Sequence, residues 1–248
     1  LSAKAGQVSV KQLLAQVPGA SVSLSGKASL TSLGLTGTLD ATDLSKLPST
    51  VKAFTGVVIP PLSGKGALAV QVSGPTRKPK VAVQGQLEEL RIASVSARTL
   101  VVDAVVPDVT HPLDADGTVT ATKLVLGSQT FEEVHATLTT HGRELDVALT
   151  TKGFGDAGLT LHGTLDGDNE GLAIAALQLD TGVDRWLLEH PTHVGWGRIV
   201  RVEPVALSSG QQGLRLEGTL RGEKLNAEFH ASQVDLSRLP KVLVPADL

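Results

Sequence analysis

The sequence contains no cysteine, which excludes a disulfide framework, a thiolate nucleophile and any cysteine-ligated metal. Methionine and tyrosine are also absent, and aromatic residues make up 2% of the 248 positions. With so few aromatics there is no platform on which bases could stack. The 22 Lys and Arg stand in ones and twos against 25 Asp and Glu, so no basic face is available for counterion release. Nucleic acid is therefore not an expected partner. No stretch approaches the roughly 18 apolar residues of a membrane-spanning helix. The first residues also lack the basic start and apolar run of a signal peptide. Without an initiator methionine the chain reads as an excised or processed piece, with any anchor and targeting signals expected outside it.

What is present is hydrophobicity of one kind. Hydrophobic residues make up 41% of the chain, and Val, Leu and Ala carry nearly all of it. Such side chains suit a thin pleated sheet better than a thick core. Apolar and polar residues alternate with period two in Gly66-Ala-Leu-Ala-Val-Gln-Val-Ser-Gly74, Leu145-Asp-Val-Ala-Leu-Thr-Thr151, Gly158-Leu-Thr-Leu-His-Gly-Thr-Leu165 and Gly213-Leu-Arg-Leu-Glu-Gly-Thr-Leu220. Weaker alternation over 21–30, 33–40, 80–94, 97–106, 114–126, 131–140, 171–180, 198–207 and 223–233 brings the expectation to about 14 one-sided strands. Turn residues separate them, as in Asp114-Ala-Asp-Gly117. Short helices are expected at Val10 to Val17, at Asp43 to Phe54 with Asp43 as N-cap, at Asp184 to Glu189 and at Asp235 to Val242.

The motifs that resemble chemistry lack the parts that would make them work. Gly153-Phe-Gly-Asp-Ala-Gly158 has the spacing of a dinucleotide fingerprint. A strand-like Leu159-Thr-Leu-His follows it, however, where a helix N-terminus must meet the pyrophosphate, so it reads as a hairpin turn. Asp166-Gly-Asp-Asn-Glu-Gly171 begins like a calcium loop, but Leu177 stands where the bidentate Glu belongs. His190 and His193 lack a third ligand. There is no Gly-x-Ser-x-Gly elbow and no Walker-type phosphate loop. No enzyme, nucleotide, cofactor or metal site is expected.

The unit Asp43-Leu-Ser-Lys-Leu-Pro48 recurs 192 residues on as Asp235-Leu-Ser-Arg-Leu-Pro240, and Leu24, Gly26 and Leu33 fall without a gap on Leu216, Gly218 and Leu225. We read residues 1–248 as one continuous segment with repeat units starting near 21 and near 213, the second truncated.

Three stretches resemble the TamB/AsmA family, also called repeating β-groove or bridge-like lipid transfer proteins. They are Gly74-Pro-Thr-Arg-Lys-Pro-Lys-Val-Ala-Val-Gln-Gly85, Asp184-Arg-Trp-Leu-Leu-Glu-His-Pro191 leading to the strands at 198–220, and the Asp-Leu-Ser-x-Leu-Pro unit. The resemblance spans most of the chain and implies an all-β fold, a long antiparallel sheet curled into an open groove. It further implies a periplasmic location, tethered to the inner membrane through a segment not among these residues. The groove would conduct phospholipid acyl chains between inner and outer membranes, with an outer-membrane barrel protein as a partner reached through other parts. On that reading the alternating positions Leu68, Val70, Val72, Val81, Val83, Leu145, Val147, Leu149, Leu159, Leu161, Leu214 and Leu216 line the groove. Two rivals stand beside it. One is a scaffold for outer-membrane protein assembly acting through an exposed strand edge. The other is a closed sandwich or solenoid of a surface adhesin, which would bury the same positions.

Overall fold

The computed structural model describes all residues except 1, 5, 50–51, 53–59, 112, 128, 154–155, 168–169, 223 and 236–248. The chain divides into two compact units, Leu1–His135 and Ala136–Leu248.

The first unit runs through β1 (Ser2–Lys4), β2 (Gln7–Val17), β3 (Ala20–Ser29), β4 (Ser32–Ala41), β5 (Leu62–Pro75), β6 (Lys80–Ile92), β7 (Val95–Val106) and β8 (Ala115–Leu126) to the start of β9 (Gln129–His141). Each strand from β1 to β8 pairs antiparallel with the next. A 3-10 turn at Leu44–Lys46 is capped by Asp43, whose side chain accepts from the Ser45 backbone N–H as expected of an N-cap.

The second unit continues from β9 through β10 (Glu144–Lys152), β11 (Ala157–Leu165), β12 (Gly171–Asp180), β13 (Arg185–Leu188), β14 (Thr192–Trp196), β15 (Val200–Ser209) and β16 (Gln212–Arg221) to β17 (Lys224–Ser232). Here β13 and β14 act as two halves of one strand. Residues 178–180 of β12 pair with β13 and 171–174 with β14, while Glu189-His-Pro191 interrupts the ladder where Pro191 has no N–H to give. Among the described residues the substantial contacts between strands join ladder neighbours, so neither unit carries a second layer. The all-β expectation is met.

Two expected helices are strands. Val10, Leu13, Leu14 and Val17 have helical spacing, yet they lie in β2, where the register against β3 shifts between Val10 and Leu13. An extra residue at a bulge turns a period-two pattern into apolar-polar-polar-apolar, which mimics a helix turn while returning Leu13 to the face of Val10. Asp184 to Glu189 holds β13, too short to show its alternation. The expected helix at Asp235 to Val242 lies, after its first residue, outside the described residues.

The same four-residue pattern crosses the first unit as a seam. Leu87-Glu-Glu-Leu90, Ala97-Arg-Thr-Leu100 and Ala121-Thr-Lys-Leu124 stand in neighbouring strands, with Leu87, Leu100 and Ala121 opposite one another and Leu90 opposite Ala97. Glu89 and Lys123 adopt φ of 52° and 51°, and a register shift runs through β5 at Ser63 and Lys65. Each of β6, β7 and β8 thus carries one residue more than β5 across this level, and its side chains emerge beyond the seam on the face they left. Aligned bulges of this kind bend and twist a sheet. Lys65 and Glu88 pair at 3.4 Å along the seam, and Lys123 pairs with Glu132. These exposed pairs add little stability and chiefly keep the polar side wet.

Candidate functional site

Residues directly opposite in a ladder point to the same side, so the registers show which residues share a face. In the first unit Leu24, Gly37, Val70, Val83, Ala104 and Gly117 follow one another across β3 to β8. Beside that row run Val22, Leu39, Leu68, Gly85, Val102 and Val119, and on its other flank Gly26, Leu35, Val72, Val81 and Val106. All three rows are apolar. The opposite side carries Thr38, Ala69, Gln84, Asp103 and Thr118 in register, with Gln84 donating to Asp103 at 2.9 Å.

The second unit repeats this arrangement. Val147 faces Leu161, which faces Leu177, while Leu149 faces Leu159, Leu179 and then Trp186. Leu188, two residues from Trp186 and so on its side, faces Leu207, which faces Leu214; Val205 faces Leu216 and Leu216 faces Phe229.

The structure therefore gathers the sequence-predicted positions into two sets. Leu68, Val70, Val72, Val81 and Val83 stand together on β5 and β6 in the first unit. In the second, Leu145, Val147, Leu149, Leu159 and Leu161 stand together on β10 and β11, with Leu214 and Leu216 on β16. All are half-buried except Leu216, which is exposed. A valine in a closed sandwich core would be sealed; these are covered by their own neighbours only in part. Sequence reasoning left out Leu24, Leu35, Leu39, Val102 and Val106, although each sits in an alternating strand that was itself recognised.

Glycines shape this apolar side. Gly26, Gly37, Gly66, Gly85, Gly117, Gly163 and Gly218 all stand on it by register. A Cβ on Gly85 would run into Leu68 Cδ2 and the Ala67 carbonyl oxygen, and one on Gly163 would lie 2.7 Å from the Ala173 carbonyl oxygen. Such crowding is what the inner side of a bend produces, since side chains converge there and only glycine leaves room.

The polar side has shallow open depressions. One, of about 580 Å³, is lined by Thr137, Thr139, Asp146, Thr160, His162 and Gln178 together with Val147, Leu161, Leu177, Leu187 and Leu188. His162 Nδ1 lies 2.8 Å from Asp146 Oδ1 there.

The remaining motifs find structural roles. Gly153 and Asp156 lie in the connection between β10 and β11, two antiparallel strands, and a strand follows where a nucleotide site needs a helix. Asp166 hydrogen-bonds His193, with Oδ2 to Nε2 at 2.8 Å, tying the β11–β12 connection to β14. Gly171 makes that contact possible, because a Cβ there would lie 2.6 Å from His193 Nε2. Among the described residues no three His, Asp or Glu side chains converge as metal ligands. Asp43 accepts from the Ser45 hydroxyl at 2.6 Å and from the Ser45 N–H at 3.1 Å, and these bonds hold its carboxyl below the usual range. In the β7–β8 connection the Thr110 hydroxyl, at 2.6 Å, lowers Asp108 to about 2, with the Thr110 N–H and His111 adding to the effect.

Asp108 yields a titration prediction. Its carboxyl is depressed relative to the unfolded chain, so its contribution to stability is present above the unfolded value near 4 and is lost as pH falls toward about 2. An NMR pH titration should show the Asp108 carboxyl midpoint near 2 and move it up in Thr110→Val. A midpoint near that of a free aspartate would contradict the geometry of this loop.

The family model of the TamB N-terminal domain matches residues 1–246. The chain belongs to the TamB family. This is a family of cell-envelope proteins, and the match covers both structural units. No curated protein and no solved structure matches the chain significantly. No helix among the described residues is long and apolar enough to cross a membrane. In this TamB-family chain the candidate site is thus an extended surface, the in-register apolar side of each unit, and not a pocket.

Proposed function

We propose that the apolar side of each unit shelters phospholipid acyl chains, so that this chain forms part of a path for lipids between inner and outer membranes, working in the periplasm and performing no covalent chemistry. The observation that carries this reading is the apolar side itself. Rows such as Leu24, Gly37, Val70, Val83, Ala104 and Gly117 cross six strands and stay half-exposed. Contiguous exposed apolar surface on this scale calls for an apolar occupant.

The physical need is simple. Each CH₂ kept from water is worth about 0.8 kcal/mol, so a two-tailed lipid with on the order of 30 methylenes cannot cross an aqueous gap unshielded. A hydrocarbon tail is about as well solvated against Val and Leu as in a bilayer. Movement along such a surface therefore needs little free energy, and direction must come from outside it.

Photo-crosslinking with a small diazirine amino acid tests the reading. At Val70 and Val147, on the apolar side, lipid adducts are expected. At their neighbours Gln71 and Asp146, on the polar side, none are. A folded protein that gives no lipid adduct at Val70 or Val147 would sink the proposal.

A further inference from the structure

The apolar side of the first unit is not uniformly open. At one end of its strands, next to the row of Val22, Leu39 and Leu68, lies a row made of Ala20, Ala41 and Gly66, followed by Leu87 and Leu100. Three of the smallest residues thus stand side by side on β3, β4 and β5, where the next row has Val, Leu and Leu. They leave a slot one side chain deep. The 3-10 turn packs against β5 and seats Leu44 in a cluster with Ala20, Ala41 and Leu90, so that Leu44 is only 4% exposed, while Leu47, Leu87 and Leu100 pack around it.

The turn is held in place from its start. The backbone N–H groups of Thr42 and Asp43 both donate to the Gly19 carbonyl oxygen, at 2.9 and 3.0 Å. Gly19 has φ of 81°, and a Cβ on it would meet the Asp43 carbonyl oxygen, so the approach depends on glycine. Asp43 then caps the turn through Ser45. Asp43 and Ser45 set the turn, Lys46 pairs with Asp43 at 3.5 Å, and Leu44 and Leu47 face the sheet.

We propose that Asp43–Leu47 is the side wall of the lipid path in the first unit. Resting on the function proposed above, this assigns the motif a substrate-shaping role. Leu44 fills the slot that a hydrocarbon tail would otherwise enter, and the tail is confined to the rows through Leu68, Val70 and Val72. The wall fixes how many tails lie abreast on this unit. It is built from the same chain, whereas toward the other end of these strands Val8, opposite Ala28, is exposed.

The test uses the full chain loaded from phosphatidylethanolamine–phosphatidylglycerol vesicles, with a diazirine amino acid at position 70 or 83 in the open rows, or at 87 or 100 beneath the wall. In the unaltered chain, lipid adducts are expected at 70 and 83 and about tenfold fewer at 87 and 100, because a tail must first displace a buried leucine. In Leu44→Ala/Leu47→Ala, adducts at 87 and 100 should rise to the level of 70 and 83. Equal labelling of all four positions in the unaltered chain would overturn the wall while leaving the lipid path standing. So would a folded double variant whose adducts stay at 70 and 83 alone. Absence of adducts everywhere would overturn the path and the wall together. The contrast within the unaltered chain decides the matter even if the double variant fails to fold.

Discussion

Trp186→Ala should lower the stability of the second unit by about 3–5 kcal/mol, the usual cost of deleting a buried tryptophan. Trp186 is 0% exposed, and its ring stands on the apolar side opposite Leu179. Its neighbours on that side, Leu159 beyond Leu179 and Leu188 two residues on, are only half-buried, whereas the ring is fully enclosed. The indole N–H finds no hydrogen-bond partner among the described residues. A buried unpartnered donor costs roughly 1–3 kcal/mol, which Trp186→Phe removes while keeping much of the apolar contact. The phenylalanine variant should therefore fall within about 1 kcal/mol of the parent, because the relieved penalty offsets the smaller ring. Hydrogen exchange of the peptides covering β12 and β13 reads both variants locally. A loss below about 1 kcal/mol in Trp186→Ala would show that the ring is not enclosed.

The fold was legible wherever a strand kept strict alternation. Strands β5, β10, β11 and β16 lie close to the stretches first picked out by period two, since each has one apolar side and no interruption. What alternation could not reveal was the bulge. In β2 the pattern Val10-Lys-Gln-Leu13 suggested a helix, and in β15 the corresponding Val202-Glu-Pro-Val205 spans the register shift against β16. The seam through Glu89, Arg98 and Lys123 is the same device aligned over three strands. Each instance alone is ambiguous between a helix turn and a bulged strand, and only the repetition at matched positions resolves it. β13 and β14 escaped for another reason: four and five residues are too few to display a period.

The candidate site was legible to a similar depth. Alternation places Val70 and Val72 on one side, but it cannot say that Val83 and Val81 stand opposite them, because register depends on where the β5–β6 turn falls. Nor can it say how far a face is covered. The Asp-Leu-Ser-x-Leu-Pro unit was recognisable as a repeat, and the strands carry the same offset: β3 and β4 begin at 20 and 32, β16 and β17 at 212 and 224. Its packing was not legible, since the slot that receives Leu44 is assembled from β3, β4 and β5. In the later stretch Gln212 and Gln233 occupy the positions of Ala20 and Ala41, and the Asp235 N–H donates to Gln212 Oε1 at 3.2 Å. The small residues that make the slot in the first unit are thus not repeated at these two positions.

The curvature of the apolar side leads to the second large effect. Gly85→Ala should destabilise the first unit by about 1–3 kcal/mol, whereas Gly117→Ala should be neutral or stabilising by about 0.4–1 kcal/mol. Both glycines stand in strands on the apolar side of the same unit, in neighbouring rows. Propensity alone predicts the same sign for both, because alanine reduces the freedom of the unfolded chain at either site. Geometry separates them. At Gly85 a methyl group meets Leu68 Cδ2 and also backbone, the Ala67 carbonyl oxygen, which cannot move without shifting β5. At Gly117 the nearest atoms, Ala104 Cβ and the Asp103 carbonyl oxygen, are 3.8 Å away, an ordinary contact. Flattening the sheet would relieve the clash at Gly85, so the variant should also lose protection from hydrogen exchange along β5 and β6. Equal effects of the two substitutions on chemical denaturation would mean that the apolar side is not the crowded, inner side of the bend. The account of the groove given by its glycines would then fail.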